Sequence, residues 1–127
     1  VCTSDLTSLV DLEAPGAVWP FAPGRFAGIV VTNYLHRPLL EAMVASLAPD
    51  GVLLYETFAE GNEQFGKPSN PKFLLKEGEL LAWALEQGLR VVAYEDGRVE
   101  QPKAALVQRI CAVRPDFPRL AALLPTF

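Results

Sequence analysis

The chain has 127 residues, half of them apolar and 20% charged, which is the size of about one domain and a composition that can fill a core and excludes wholesale disorder. Eleven Lys and Arg against fifteen Asp and Glu give a formal net charge of −4, which argues against a nucleic-acid binder held by a broad basic face. No apolar run approaches the roughly 20 residues of a membrane-spanning helix, and no basic segment leads into a short apolar one as in a secretory signal.

Taken in chain order, the N-terminal stretch Ser8-Leu9-Val10-Asp11-Leu12-Glu13 reads as a short strand ending in an acid, and Asp5 is a second acid in similar surroundings. Spacing does not choose between the two. Trp19, Pro20 and Phe21 read as core or loop packing. Gly28-Ile29-Val30-Val31-Thr32-Asn33 is a β-branched run whose apolar residues are consecutive, as expected of a strand covered on both faces. Leu39, Leu40, Met43, Val44 and Leu47 then recur on one helical face, with Pro38 placed for the first turn, where its missing N–H costs nothing. Ala48-Pro49-Asp50-Gly51 predicts a turn, and Val52 to Phe58 a second buried strand. Strand, helix and strand within about thirty residues have the length of a βαβ crossover.

The connection from Ala59 to Lys76 is rich in Gly, Pro and Asn, and a connection this long inside a compact domain is usually functional or mobile. Glu77 to Gln87 predicts a second helix with Leu80, Leu81, Ala84 and Leu85 on one side, closed by Gly88. Trp83 on that helix reads as packing. Leu89 to Glu95 predicts a third strand, Asp96-Gly97 opens a loop, and Ala104 to Val113 predicts a fourth strand antiparallel to the third. After Pro115, Leu120, Leu123, Leu124 and Phe127 stand at helical spacing.

Cys2 and Cys111 belong to no CxxC or CxxH arrangement, so two reduced thiols in a cytoplasmic protein fit better than a disulfide. With a single histidine and no cysteine cluster, no metal site is expected. No Ser-His-Asp order, HExxH or phosphate-binding GxxxxGK[ST] loop is present. Ligands of α/β folds bind beyond the carboxyl ends of the strands, which leaves three candidate segments: Asp11-Leu12-Glu13, Thr32-Asn33-Tyr34-Leu35-His36 and Glu56-Thr57-Phe58. An acid after a strand can accept hydrogen bonds from a ribose hydroxyl or an exocyclic amine; it can equally be a solvated turn residue or a helix cap. His36, the only histidine and the residue type most often used for general acid–base work, would sit well as a general base, or would cap the helix that follows. Asn33 suits a ligand's amino acid moiety or its own turn. Glu56 reads as a buried polar contact.

Asp11-Leu12-Glu13 with Trp19-Pro20-Phe21, the run from Phe26 to Leu40 and the run from Leu47 to Phe58, with its L-x-P-x-G turn, together resemble the later half of class I S-adenosylmethionine-dependent methyltransferases. The similarity is strongest to small bacterial members related to tellurite-resistance methyltransferases, and it covers about residues 8–114. The resemblance implies an α/β, Rossmann-like sheet of strand order 3-2-1-4-5-7-6 with an antiparallel last strand, incomplete at its N-terminus. The strands read above become strands 4, 5, 6 and 7. It implies S-adenosylmethionine as cofactor, with Asp11 and Leu12 at the adenine, and Thr32, Asn33 and Leu35 beside the methionine part. His36, backed by Tyr34, would be the catalytic base toward a small-molecule acceptor. The segment from Asn62 to Leu75 would lie over the substrate side.

The family's glycine-rich loop after strand 1 has no counterpart upstream of Asp11, and Val1 stands where an initiator Met would. Residues 1–5 would be a remnant of strand 2 and Asp5 its ribose acid. A missing strand 1 would leave the Ile29–Thr32 strand as an open apolar edge, which invites pairing with another chain. The expectation is a fragment of a longer protein, ahead of a homodimer that completes its sheet across that edge. Two rival readings stand beside methyl transfer: a non-catalytic interaction module, supported by the missing glycine loop, and a Rossmann-like binder of a nicotinamide or flavin nucleotide.

Overall fold

The computed structural model describes residues 2–3 and 20–118. In chain order its elements are β1 (Cys2–Thr3), β2 (Phe26–Thr32), α1 (Arg37–Ala45), β3 (Leu47–Phe58), α2 (Glu79–Glu86), β4 (Arg90–Val99) and β5 (Ala105–Val113). The sheet order is β1-β2-β3-β5-β4. β2 and β3 run parallel on either side of α1, as the βαβ reading requires, while β5 inserts antiparallel between β3 and β4. This is a Rossmann-like α/β sheet, and β2-β3-β5-β4 reproduces the 4-5-7-6 half of the expected strand order. β1 pairs antiparallel with β2 at Val30 and Ile29. The expected strand over 8–13, with Asp5, Asp11, Leu12 and Trp19, and the expected helix over 120–127 lie outside the described residues.

The register explains how the two sheet faces differ. Ile29, Leu53 and Ala112 form one cross-strand row, and Val31, Tyr55, Ile110 and Tyr94 the next. Side chains alternate between faces along a strand, so both rows point the same way. They are joined by Leu40, Met43 and Val44 of α1 and by Leu80 and Ala84 of α2 into one core. Burial of each large side chain there contributes roughly 1.5–3 kcal/mol. The intervening row, Val30, Leu54, Cys111 and Ala93, points to the other face, where Val30 is 42% and Leu54 44% exposed. The consecutive apolar run at 29–31 therefore does not mean cover on both faces among the described residues. Helices of this part of the chain pack on one side alone.

Other expectations shift locally. Ala48 to Gly51 do not form a free turn: β3 begins at Leu47, opposite Phe26, and resumes its register at Val52, opposite Gly28. The four residues between bulge out of the ladder, and Gly51 is packed so close to Ala48 that an added Cβ would stand 2.9 Å from its carbonyl oxygen. Leu47 is thus the first strand residue and not the last of the helix. Arg114 braces the end of α1 and the start of β3, its Nη2 donating to the carbonyls of Val44 and Leu47. In α2, Leu80 and Ala84 are buried but Leu85 is 58% exposed, so the apolar stripe is narrower than its spacing suggests. Gly88 follows α2 at φ 76°, the left-handed position that ends the helix. Asp96 and Gly97 pair with Gln108 and Val107 inside the hairpin, whose loop comes after Val99.

The long connection is built from turns and anchored to the sheet. It holds two 3-10 turns, Asn62–Gln64 and Pro71–Phe73, and its ends meet in a parallel bridge between Ala59 and Leu75, where Leu75 N–H donates to the Phe58 carbonyl and Glu60 N–H to that of Leu75. Asn62 is buried, donating to the Pro68 carbonyl and accepting from Leu106 N–H. Gly61 has φ 103°, and a Cβ there would collide with Leu106 Cδ1. Gln108, fully buried on β5, accepts from Leu80 N–H and the Tyr94 hydroxyl and donates to the Lys76 carbonyl. One side chain thereby fixes the end of the connection and the first turn of α2. Replacing Gln108 by Leu strands three polar groups, and urea denaturation is expected to show a loss of about 2–4 kcal/mol. A loss under about 0.5 kcal/mol would mean that these groups find water instead.

Candidate functional site

The parallel pair β2 and β3 directs two chain ends to the same rim. Thr32 ends β2, and Asn33 N–H donates to the Glu56 carbonyl at 2.9 Å, continuing the ladder one residue past the strand. Asn33 then turns the chain at φ 55°, a left-handed conformation that Asn tolerates better than most residues. Thr32 and Asn33 are exposed, and Tyr34 is half-buried against the core. The Tyr34 carbonyl accepts a hydrogen bond from the Tyr55 hydroxyl. Burial, the main cause, pushes the Tyr55 phenol well above its usual range, so it remains a donor. The Trp83 ring stands edge-on to Tyr55 at 6.2 Å, which bears out the packing reading of Trp83.

His36 is the N-cap residue of α1, but its imidazole makes no capping bond; its carbonyl accepts from Leu39 N–H. The side chain is exposed. Thr32, Asn33, Tyr34 and His36 thus form one continuous rim, with their backbone pinned from below. Leu35, between them, is 4% exposed and belongs to the core. Asp11 and Leu12 lie outside the described residues.

Arg37, the first residue of α1, escaped the sequence reading. Its Nε and Nη2 donate to the two carboxylate oxygens of Glu79 at 2.8 and 2.9 Å, and Nη1 and Nη2 also donate to the carbonyls of Lys72 and Leu74 at 3.0 and 2.9 Å. Glu79 Oε1 accepts in addition from Lys76 N–H. The bidentate geometry is the strongest form of this ion pair. It fastens the 72–79 segment and the start of α2 against the residue next to His36. The arginine holds the Glu79 carboxyl below its ordinary range, and Glu79 holds the guanidinium above its own. Nothing in the local pattern marks this pair, because its partners are 42 residues apart.

A shallow cavity of about 290 Å³ opens on the helix-free face of the sheet, floored by Val30, Leu54, Ala93 and Cys111. Thr32 borders it, together with a cross-strand ladder in which Arg109 stands 3.6 Å from Glu56 and 2.9 Å from Glu95. Glu56 is therefore half-buried in an ion-pair row. Burial raises the Cys111 thiol, which disfavours the reactive thiolate. No group of three His, Cys, Asp or Glu suited to a metal ion occurs among the described residues. Nor is any helix there long and apolar enough to cross a membrane.

No family model and no curated protein matches the sequence. Solved structures do share the fold. A methyltransferase of the S-adenosylmethionine-dependent class from Methanosarcina mazei aligns over 76% of this chain with TM-score 0.58 and 12% identity. One from Aquifex aeolicus aligns over 76% with TM-score 0.54 and 16% identity. A third, the 1,6-didemethyltoxoflavin-N1-methyltransferase of Burkholderia thailandensis with bound 1,6-didemethyltoxoflavin and S-adenosylhomocysteine, aligns over 75% with TM-score 0.53 and 21% identity. The aligned part spans 62%, 50% and 46% of those chains.

The Arg37–Glu79 pair has a pH signature. A carboxyl whose pKa is lower folded than unfolded adds stability above its unfolded value, and that stability is lost as pH falls through the folded value. Glu79→Gln is expected to destabilise by about 1 kcal/mol at pH 7, with the gap to wild type closing as pH falls from the ordinary carboxylate range to below it. Urea midpoints of the two proteins across that range measure it; a gap independent of pH would remove the ion pair as its cause.

Proposed function

We propose that this chain is the carboxyl-terminal part of an S-adenosylmethionine-dependent methyltransferase of the small bacterial, tellurite-resistance-like kind, acting on a small-molecule acceptor. The observation that carries the reading is the pinned rim of exposed Thr32, Asn33 and His36 with half-buried Tyr34, at the carboxyl end of a β2-β3-β5-β4 sheet, on a fold shared with solved methyltransferases. The Burkholderia thailandensis enzyme was solved with bound 1,6-didemethyltoxoflavin, which supports a small-molecule acceptor.

The rim suits a cationic cofactor. Thr32 and Asn33 offer neutral polar groups, Tyr34 an aromatic ring, and the guanidinium of the same segment, Arg37, is already paired with Glu79. No unpaired cation on that segment would repel a sulfonium. When bound, the cofactor supplies an electrophilic methyl group. Asn33 would hold its amino acid end and Thr32 would border it, with Leu35 supporting both from the core. Holding reactants in line can supply up to roughly 7–11 kcal/mol of barrier lowering in favourable cases. His36, exposed beside Tyr34, would take a proton from an acceptor that carries one. Asp11 and Leu12 would complete the site at the adenine.

Calorimetric titration of the chain with S-adenosylhomocysteine, alongside NADH, tests the reading. Saturable heat from S-adenosylhomocysteine alone is expected; heat from NADH alone would favour a nicotinamide nucleotide binder, and heat from neither an interaction module. Asn33→Gly keeps the left-handed turn and removes the amide, so it is expected to weaken S-adenosylhomocysteine about tenfold, the size of one hydrogen bond. His36→Ala is expected to leave that affinity within about twofold and to lower turnover about 100-fold. Unchanged turnover would remove His36 from the mechanism.

A further inference from the structure

Phe73 is 47% exposed, while its neighbours Leu74 and Leu75 are 2% and 1% exposed. The exposure does not come from a loose segment. Asn70 Oδ1 accepts from Lys72 N–H, the Asn70 carbonyl from Phe73 N–H and the Pro71 carbonyl from Leu74 N–H, so the turn is closed by three bonds of its own. The carbonyls on either side of Phe73, those of Lys72 and Leu74, both accept from Arg37. Arg37 follows His36 directly and is itself locked by Glu79. A large aromatic ring is thus presented to solvent from a rigid turn, tethered through a single side chain to the residue beside the candidate base. The other aromatic of this connection, Phe65, has its ring covered by the Arg98 guanidinium at 4.8 Å. Phe73 has no such cover among the described residues.

We propose that Phe73 forms the acceptor-facing wall of the site and that Arg37 is its positioning residue, so the acceptor is a planar aromatic or heteroaromatic molecule that stacks on the ring. This rests on the methyl-transfer reading of the rim. Aromatic pairs are favoured by offset or edge-on geometry beyond simple area burial, and a wall already fixed in place loses little entropy when a ring settles on it. A flexible or saturated acceptor would gain from neither. The clamp matters because, among the described residues, no other hydrogen bond ties the turn to α1: a lysine at position 37 reaches one carbonyl where arginine holds two carbonyls and a carboxylate.

The test compares 2-naphthol with decahydro-2-naphthol, which has the same ring skeleton without the planarity. Binding is followed by NMR, with saturating S-adenosylhomocysteine and without it. Wild type is expected to prefer 2-naphthol by about tenfold, with ring-current shifts at the Phe73 ring and Arg37 Nε–H and none at the Leu54 methyls on the open sheet face. Phe73→Leu keeps an apolar side chain at an exposed position and is expected to abolish the preference; Phe73→Tyr is expected to retain it. Arg37→Lys is expected to lower the preference at least threefold while leaving S-adenosylhomocysteine affinity unchanged. Equal binding of the two probes, shifts at Leu54 instead of Phe73, or indifference to Phe73→Leu would each overturn the proposal. A preference that follows Phe73 in a chain that does not bind S-adenosylhomocysteine would keep the aromatic wall and fail the methyl-transfer reading instead.

Discussion

The guanidinium of Arg37 is the constraint on which the upper rim of this domain depends. Four hydrogen bonds from one side chain join the start of α1 to the 72–74 turn and to Glu79 at the start of α2. Without it, the connection between Ala59 and Lys76 would be held to the sheet mainly through the Ala59–Leu75 bridge, Asn62 and Gln108. Those ties fix the connection to β3 and β5. None of them fixes it to the β2 end, where Asn33 and His36 stand. The relative position of the two halves of the rim is therefore set by an ion pair that is partly open to water, with side chains 37% and 25% exposed. Such a pair gives direction more than stability.

Below the rim, the sheet divides sharply. Its helix-covered face carries alternate residues from four strands into one core, and the intervening row forms an apolar floor that ends in the Glu56–Arg109–Glu95 ladder. Strand pairing transmits this division faithfully, since each step along any strand changes faces. The bulges at Ala48–Gly51 and near Val92 absorb the places where strand lengths do not match. They lie away from the carboxyl end of β2 and β3, where the register runs unbroken from Gly28 to Thr32.

Much of this was legible from the amino acids because it rests on short-range rules. The β-branched run before Asn33, Pro38 in the first turn of α1 and Gly88 after α2 each follow from backbone sterics and fall where expected. Strand order could be anticipated through the family resemblance, and the antiparallel hairpin through loop length. The one-sided burial of β2 and β3 could not: Ile29, Val30 and Val31 are chemically alike, and only the placement of helices says which of them is covered. Leu85 misleads for the same reason. At the site, sequence marked the contiguous rim residues but not their supports. Arg37 with Glu79, and Tyr55 with Tyr34, meet across 42 and 21 positions, and pairs that distant leave no local pattern. Phe73 was visible only as an aromatic among Pro and Asn, with nothing to show that both flanking carbonyls are held.

The arrangement separates the groups that shape the rim from those that would do chemistry on it. Tyr55, Gln108, Arg37 and Glu79 act on backbone carbonyls and amides, and so determine where the chain runs whatever its exposed side chains are. Asn33, His36 and Phe73 project from that fixed backbone, and among the described residues no hydrogen bond in the core depends on their side chains. Their identities are consequently free, as far as folding is concerned, to follow a ligand. Asn33 is the exception that shows the boundary: its φ of 55° restricts the position to the few residues that accept a left-handed conformation. A polar amide that satisfies the backbone requirement and still leaves its side chain exposed meets both demands at the place where the strand ends and the exposed rim begins.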